Sequence, residues 1–376
     1  DTDRSRGLGD VYKRQTKTAL NADRCTIFMY DKENNELYSK VATGLDTKEL
    51  RIPADKGLAG HVVQTGETIN IKDAYNDKRF NPNVDKKTGY RTKTILCMPI
   101  KNFNQEIIGV FQVLNKFDEY FTPDDEDLLI AIASSAGISL ENAQLFERQR
   151  KLLEEQKVVL DSFIETLATS IDARDKITSG HSSRVKMYSS LIAQEFGMEK
   201  NDLYILEKAA ALHDIGKIGI RDSVLQKEGK LTPEEYKHIQ QHVEITHHIL
   251  EKIHMSEDFK QITEIACSHH EKFDGTGYYR HLKGEEIPFG GRILAVSDVF
   301  DAITSKRHYR DKMPIEKVID IIKNGAGSHF DPLVVDKFLD IKLSKIVGVF
   351  ITENHMVIDK EDLVTLEKYN LSLIHI

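Results

Sequence analysis

His213-Asp-Ile-Gly-Lys-Ile-Gly219 closes an apolar run, Ala209-Ala-Ala-Leu212, with two metal-binding side chains, a glycine and a lysine. A buried His or Asp is costly unless it is paired or ligates a cation. A His-Asp dipeptide at the end of a hydrophobic run therefore marks the edge of a core. Working outward, further candidate ligands recur: His181 before it, then His242, His269-His270 and Asp298. The successive intervals are 32, 29, 27 and 28 residues. Each suits one helix and its connections, which predicts a bundle whose helices aim side chains at one interior point. Amphipathic stretches at Val185–Phe196, Leu203–Leu212, Pro233–Lys252 and Glu257–Ser268 agree with a helical region from about 168 to 341.

Of the 15 histidines, 12 fall between His181 and His329, which places the chemistry there. Five His and two Asp form a nitrogen and oxygen donor set without thiolate, suited to Fe, Mn or Zn. Seven ligands exceed one tetrahedral shell and suggest two metals bridged by a carboxylate. Lys217 lies one turn beyond Asp214 on the same face. His269-His-Glu-Lys-Phe-Asp-Gly-Thr-Gly-Tyr278 sets a metal-like pair ahead of a Gly-rich loop, and Ser297-Asp-Val-Phe-Asp-Ala302 is followed by Arg307 and Arg310.

A chain of 376 residues fits two or three domains. A net charge of −8 argues against nucleic-acid polymers as partners. Cys25, Cys97 and Cys267 lie far apart with no CxxC pair, which excludes a disulfide scaffold and suits a reducing, cytoplasmic setting. No unbroken run of 18 apolar residues occurs, so no membrane crossing is expected. Asp1–Gln15 and Leu371–Ile376 have the character of appended sequence, and the first domain is expected to start partway in.

Residues 16–140 predict an α+β domain, an antiparallel sheet with helices. Strands are expected at Cys25–Tyr30, Leu37–Val41, Thr94–Ile100 and Ile107–Leu114, a short helix at Gly57–Val63, and a long helix at Asp124–Arg148. Residues 141–167 read as a helical connector. Leu145, Leu152 and Val159 recur by seven beside Phe146, Leu153, Leu160 and Leu167, the seam of a parallel coiled-coil homodimer. The extension 342–376 carries strand-like residues at Ile346–Thr352 and no assigned role.

The helical region resembles HD-GYP domains, a branch of the HD metal-dependent phosphohydrolases. The resemblance rests on Arg174-Asp175 with Thr178-x-x-His181-x-x-Arg184-Val185, His213-Asp-Ile-Gly-Lys-Ile-Gly219, His242, the run from His269 to Tyr278, Asp298-x-x-Asp301-Ala302 to Arg307-x-Tyr-Arg310, and Phe330-Asp-Pro332. It implies a cyclic di-GMP phosphodiesterase with two divalent ions per subunit, iron first and manganese or zinc as alternatives. His181, His213, Asp214 and Asp298 would hold one ion. Asp214, His242, His269 and His270 would hold the other, with Asp214 bridging. A bridging hydroxide would be the nucleophile, giving pGpG, with onward cleavage to GMP open. Asp214 and Lys217 would be catalytic, while Lys217, Arg307, Arg310, Gly275, Gly277 and Tyr278 would contact substrate. Glu271, Asp274 and Asp301 would orient ligands or the glycine loop.

Two positions depart from that family. Tyr279 stands where Gly-Tyr-Pro has proline, which is expected to free the loop without removing a ligand. Ile177 stands where some members carry a glutamate for a third metal, so a dinuclear site is expected. The first domain resembles GAF domains through Asn115-Lys116 with Phe121-x-x-x-Asp125-Glu126, the Asn-Lys-Phe-Asp-Glu signature of cyclic-nucleotide-binding members. A cyclic nucleotide, another small ligand or a purely dimerising role stay open for it. For the whole chain, hydrolysis of another cyclic dinucleotide or nucleotide, and a non-catalytic receptor, are the alternatives.

Overall fold

A computed structural model describes residues 3–39, 50–174, 180–253, 257–304 and 313–352. Ile177, Arg307 and Arg310 lie outside the described residues. The chain divides into two compact units, Asp1–Gln156 and Lys157–Ile376.

In the first unit, helix α1 (Asp3–Ala19) leads into β1 (Ala22–Asp31), β2 (Glu36–Ser39), β3 (Leu50–Pro53), α2 (Gly57–Thr65), β4 (Ile69–Ile71), α3 (Asn83–Thr88), β5 (Ile95–Lys101) and β6 (Ile107–Lys116). The strands form one antiparallel sheet in the order β3-β2-β1-β6-β5-β4. Both faces are covered, which explains the unbroken apolar run Ile95–Met98 in β5. Leu96, Met98, Ile100, Phe111 and Val113 face Leu129, Ala133, Ala136 and Leu140 of the following helix. Ile95, Cys97 and Val110 face Leu58, Val62 and Val63 of α2. The four expected strands and the helix at Gly57 are present, apart from Lys40 and Val41, which lie outside the described residues. Strands β3 and β4 are additions. At three or four residues each, they are too short to show a period of two.

Helix α4 (Pro123–Arg174) is 52 residues long and unites the helix and connector expected as separate pieces. Pro123 takes its first position and Asp124, Asp125 and Glu126 its first turn, where proline and acids are favoured. Nothing between Pro123 and Arg174 breaks it: Gly137 is its only glycine and no second proline follows. One 18-residue window of α4, with mean hydropathy 1.3, is apolar enough to cross a membrane by length and composition, which a search for an unbroken run does not detect. The residues of α4 buried on the sheet account for part of that character.

The second unit is helical, as expected: the end of α4, then α5 (His181–Glu195), α6 (Lys200–Leu212), α7 (Asp222–Leu225), α8 (Pro233–Glu251), α9 (Glu257–Ala266), α10 (Phe289–Thr304), α11 (Ile315–Asn324), α12 (Pro332–Leu339) and α13 (Leu343–Thr352). A capping box between Thr232 and Glu235, with Pro233 at the first position, starts α8. One core joins Ile164, Ala168 and Ile171 of α4 to α6, α8 and α9. The other joins α5, α10, α11, α12 and α13. Residues Ile346–Thr352 are helical rather than strand-like. Ile346, Val347 and Val349 bury against the α5–α12 core, and that packing overrides their β preference.

Candidate metal centre

The seven proposed ligands come from five segments that the helical core brings to one point. His181 is the first residue of α5. His213 ends α6, and Asp214 precedes a 3₁₀ turn, Ile215–Gly219, that carries Lys217. His242 lies in α8, His269-His270 follow α9, and Asp298 lies in α10. His181, His213, Asp214, His242 and His269 are buried, with Asp298 at 9% exposure. Gly216 explains how the turn closes on α8: a Cβ there would stand 1.9 Å from the carbonyl oxygen of His242. Thr246 completes the seam, accepting from Gly216 N–H at 2.9 Å and donating to the His213 carbonyl at 3.1 Å.

The imidazoles are oriented by a repeated device. Nδ1 of His213 donates to the Ala210 carbonyl at 2.7 Å, that of His242 to Ile239 at 2.6 Å, and that of His269 to Ala266 at 2.6 Å. Each ring so tied leaves Nε2 as a lone-pair donor. Burial, with each other's charge, holds His269 well below its usual range, and burial pushes His270 down to about 3. Both are therefore neutral and ready to ligate at pH 7. His181 is held differently. Its Nδ1 donates to Oδ2 of Asp301 at 2.8 Å. Burial would lower its pKa, but Asp298 and Asp301 outweigh that and raise it to about 10. Without a metal, a proton is drawn to this point between carboxylates.

Asp214 sits between two groups of histidines. Its Oδ2 lies 3.6 Å from Nε2 of His181 and 3.4 Å from Nε2 of His213, and its Oδ1 lies 3.4 Å from Nε2 of His242. Asp298 Oδ1 lies 3.2 Å from His181 Nε2 and 4.0 Å from His213 Nε2. Three sets of ligand atoms lie close enough to hold an ion: His181, His213 and Asp298; His242, His269 and His270; and His213, Asp214 and His269. The residues fit a metal on a further observation. Nε2 of His213 is fully buried with no hydrogen-bond partner among the described residues, a costly state that a cation relieves.

Lys217 ion-pairs with Asp214, Nζ to Oδ2 at 2.6 Å. Because the turn is 3₁₀, residues three apart eclipse, which aligns the two side chains. Tyr278 packs against His270 with ring centroids 4.7 Å apart and planes tilted by 32°, and burial pushes its phenol well above the usual range, so it is a hydrogen-bond donor at neutral pH. Glu271 and Asp274 hold the loop rather than the ligands. Buried Glu271 accepts from Arg280 N–H at 2.8 Å and Leu282 N–H at 3.1 Å. Asp274 accepts from the backbone and hydroxyl of Thr276 at 2.8 and 2.7 Å. Gly275 has φ +86°, and a Cβ on Gly277 would stand 2.4 Å from Lys272 N, so both positions need glycine. Tyr279 sits at φ +93°, a value closed to proline, so the backbone takes a path that Gly-Tyr-Pro could not follow.

Three residues near the site had no role assigned from sequence. Arg184 binds Asp301 with Nε at 2.6 Å and Nη2 at 3.0 Å. Asp172 and Arg174 bond segments that carry ligands. Arg174 and Arg184 stood inside the quoted motifs, but partners 43 to 48 residues away for Arg174 and 117 for Arg184 have no local signal.

In the first unit the signature residues tie β6 to α4. Lys116 Nζ bonds both oxygens of Asp125 at 2.7 Å, Glu126 accepts from Asn70 at 2.7 Å, Phe121 is buried, and Asn115 at φ +55° bonds Tyr90 and the backbone at Arg91, Lys93 and Thr94.

Residues 165–334 match the model of the HD domain, and residues 14–140 that of the GAF domain. The chain is 35% identical over 240 residues to 3′3′-cGAMP-specific phosphodiesterase 2 of Vibrio cholerae, covering 63% of this chain and 44% of that protein. It is 42% identical over 179 residues to a cyclic di-GMP phosphodiesterase of Thermotoga maritima, covering 48% of each. The chain spans less than half the length of these relatives.

Proposed function

Since the chain is a GAF–HD protein, we propose that its HD domain is of the HD-GYP type and hydrolyses cyclic di-GMP to pGpG with two divalent metal ions. The observation that carries this reading is Asp214, whose two oxygens face separate histidine groups. His181, His213, Asp214 and Asp298 would hold one ion, and Asp214, His242, His269 and His270 the other. When bound, such ions acidify water to a nucleophile at neutral pH and offset charge on phosphoryl oxygens.

The chain's own residues supply the rest. Asp301 and the three backbone carbonyls fix the imidazoles. Lys217, with Arg307 and Arg310, would face the phosphodiester. The protonated hydroxyl of Tyr278 would donate to it, and Gly275 and Gly277 let the loop backbone approach. Iron is the first expectation for the ions, on the donor set alone.

The GAF unit would regulate the hydrolase. Ile138, Leu145, Leu152 and Val159 recur by seven along α4 and are all exposed, the stripe expected of a parallel homodimer through this helix. A GAF ligand, of which a cyclic nucleotide is one candidate, would act through it.

The relative named for 3′3′-cGAMP favours that dinucleotide as a second reading of the substrate. Purification without air, metal counting and parallel turnover assays on both dinucleotides test the assignment. Faster turnover of cyclic di-GMP supports it, faster turnover of 3′3′-cGAMP selects the second reading, and metal binding with neither turnover makes the domain a receptor.

A further inference from the structure

The last turn of α4 is bonded to two segments that carry proposed ligands. On one side, Asp172 is buried and accepts from Ser182 twice, from N–H at 3.0 Å and from the hydroxyl at 2.8 Å. Ser182 is the second residue of α5, next to His181, and its N–H is one that the helix itself leaves without a partner. On the other side, Arg174 grips the 3₁₀ turn after Asp214. Its Nη1 donates to the carbonyls of Lys217 at 2.8 Å and Ile218 at 2.6 Å, its Nη2 to that of Ile220 at 2.7 Å, and its Nε to Asp222 at 3.0 Å. Gln226 donates back to the Arg174 carbonyl at 3.2 Å.

We propose that Asp172 and Arg174 are positioning residues through which the end of α4 sets the register between His181 and the Asp214–Lys217 turn. Residues two apart on a helix point about 200° from one another. The two anchors therefore act on opposite sides of α4, and a rotation of the helix drives the His181 segment and the Lys217 segment in opposite directions. A guanidinium suits its role: its donors form a rigid fork that reads several carbonyls at once, and a lysine reproduces only part of that. The hydrophobic contacts of Ile164, Ala168 and Ile171 hold the helix in a core that also takes in Leu212 and Ile215, on either side of His213 and Asp214. The two polar anchors add directional bonds to the Ser182 N–H and to the carbonyls of the turn.

This inference rests on the metal reading above. Its test therefore includes metal affinity as well as turnover. In the full-length chain, Mn²⁺ binding is followed by electron paramagnetic resonance, with kcat and KM for cyclic di-GMP alongside. Asp172→Asn is expected to weaken one of two Mn²⁺ ions by about 10-fold, the low end of the scale for groups that orient a ligand, since Asp172 acts on His181 through Ser182, and to spare the other. Arg174→Ala is expected to lower kcat by about 10-fold when Lys217 is present and to cost nothing further in a Lys217→Ala background. Arg174→Lys is expected to fall between. Wild-type Mn²⁺ constants in a folded Asp172→Asn chain, with equal losses from Arg174→Ala in both backgrounds, would overturn the proposal. A wild-type chain that binds two Mn²⁺ but turns nothing over rejects the functional reading, and the Asp172→Asn affinity shift then decides this one.

Discussion

Asp301 accepts a hydrogen bond from His181 at 2.8 Å, and both groups are buried in the core of the helical unit. The bond fixes which nitrogen of His181 is left for a cation, and the guanidinium of Arg184 holds the carboxylate in turn. Asp301→Asn takes the carboxylate from the buried Arg184 guanidinium as well, so it should lower thermal stability and weaken metal binding by about 10–100-fold, measured by titration of the metal-free chain. Arg184→Met removes one charged partner of the buried Asp301 carboxylate, which keeps its bond from His181, and should cost about 3–5 kcal/mol of stability, read by thermal unfolding.

Glu271 holds two backbone N–H groups of the loop after Tyr278. In Glu271→Gln one of them faces an NH₂ instead of an acceptor. The expected cost is about 1–3 kcal/mol of local stability. Amide exchange of Arg280 and Leu282 should speed up while metal content stays unchanged.

Tyr279 lies at φ +93°, where a side chain is strained and a proline ring cannot go. Tyr279→Gly should raise thermal stability or leave it level, gaining about 1 kcal/mol from relieved strain, less what is lost from its ring contact with His247. Tyr279→Pro should lower stability, although proline is the residue of the Gly-Tyr-Pro motif. Equal melting temperatures for Tyr279→Pro and the wild type would contradict the loop path described.

In the sheet unit, burial would raise the pKa of Asp125, but hydrogen bonds from Lys116 and Thr122 outweigh it and hold it below the usual carboxylate range. A carboxyl depressed in the folded state stabilises the fold above its unfolded pKa of about 3.9, and that stability is lost as pH falls through the lower folded value. Protection of the β6 amides, measured against their intrinsic exchange rates in the whole chain, should therefore fall on acidification below about pH 4. Asp125→Asn should be less stable at pH 7 and show a flatter acid dependence.

The sequence carried much of this because the chemistry is spaced by helices. Ligands at intervals of 27 to 32 residues foretold a bundle with side chains aimed inward, and the apolar stretch Thr94–Ile100 foretold a strand, though not its burial on both faces. The missing parts are set by distant contacts. The helical state of Ile346–Thr352 depends on a core built by α5 and α10–α12, which no local window contains. Tyr279, at positive φ, lies between the crowded Gly277 and Arg280, whose N–H is held by the distant Glu271. The Asp172 and Arg174 anchors join α4 to turns that follow at different distances along the chain.

In the proposed hydrolase, Asp214 would be the ligand shared by both ions. The most direct measurement is metal stoichiometry and cyclic di-GMP turnover for the wild type beside Asp214→Ala, both purified without air. Two ions per wild-type chain are predicted, with fewer than two and a turnover loss on the order of 10³-fold in the variant, as expected when several kcal/mol of charge stabilisation are removed. Equal metal content and equal turnover in the two proteins would contradict it.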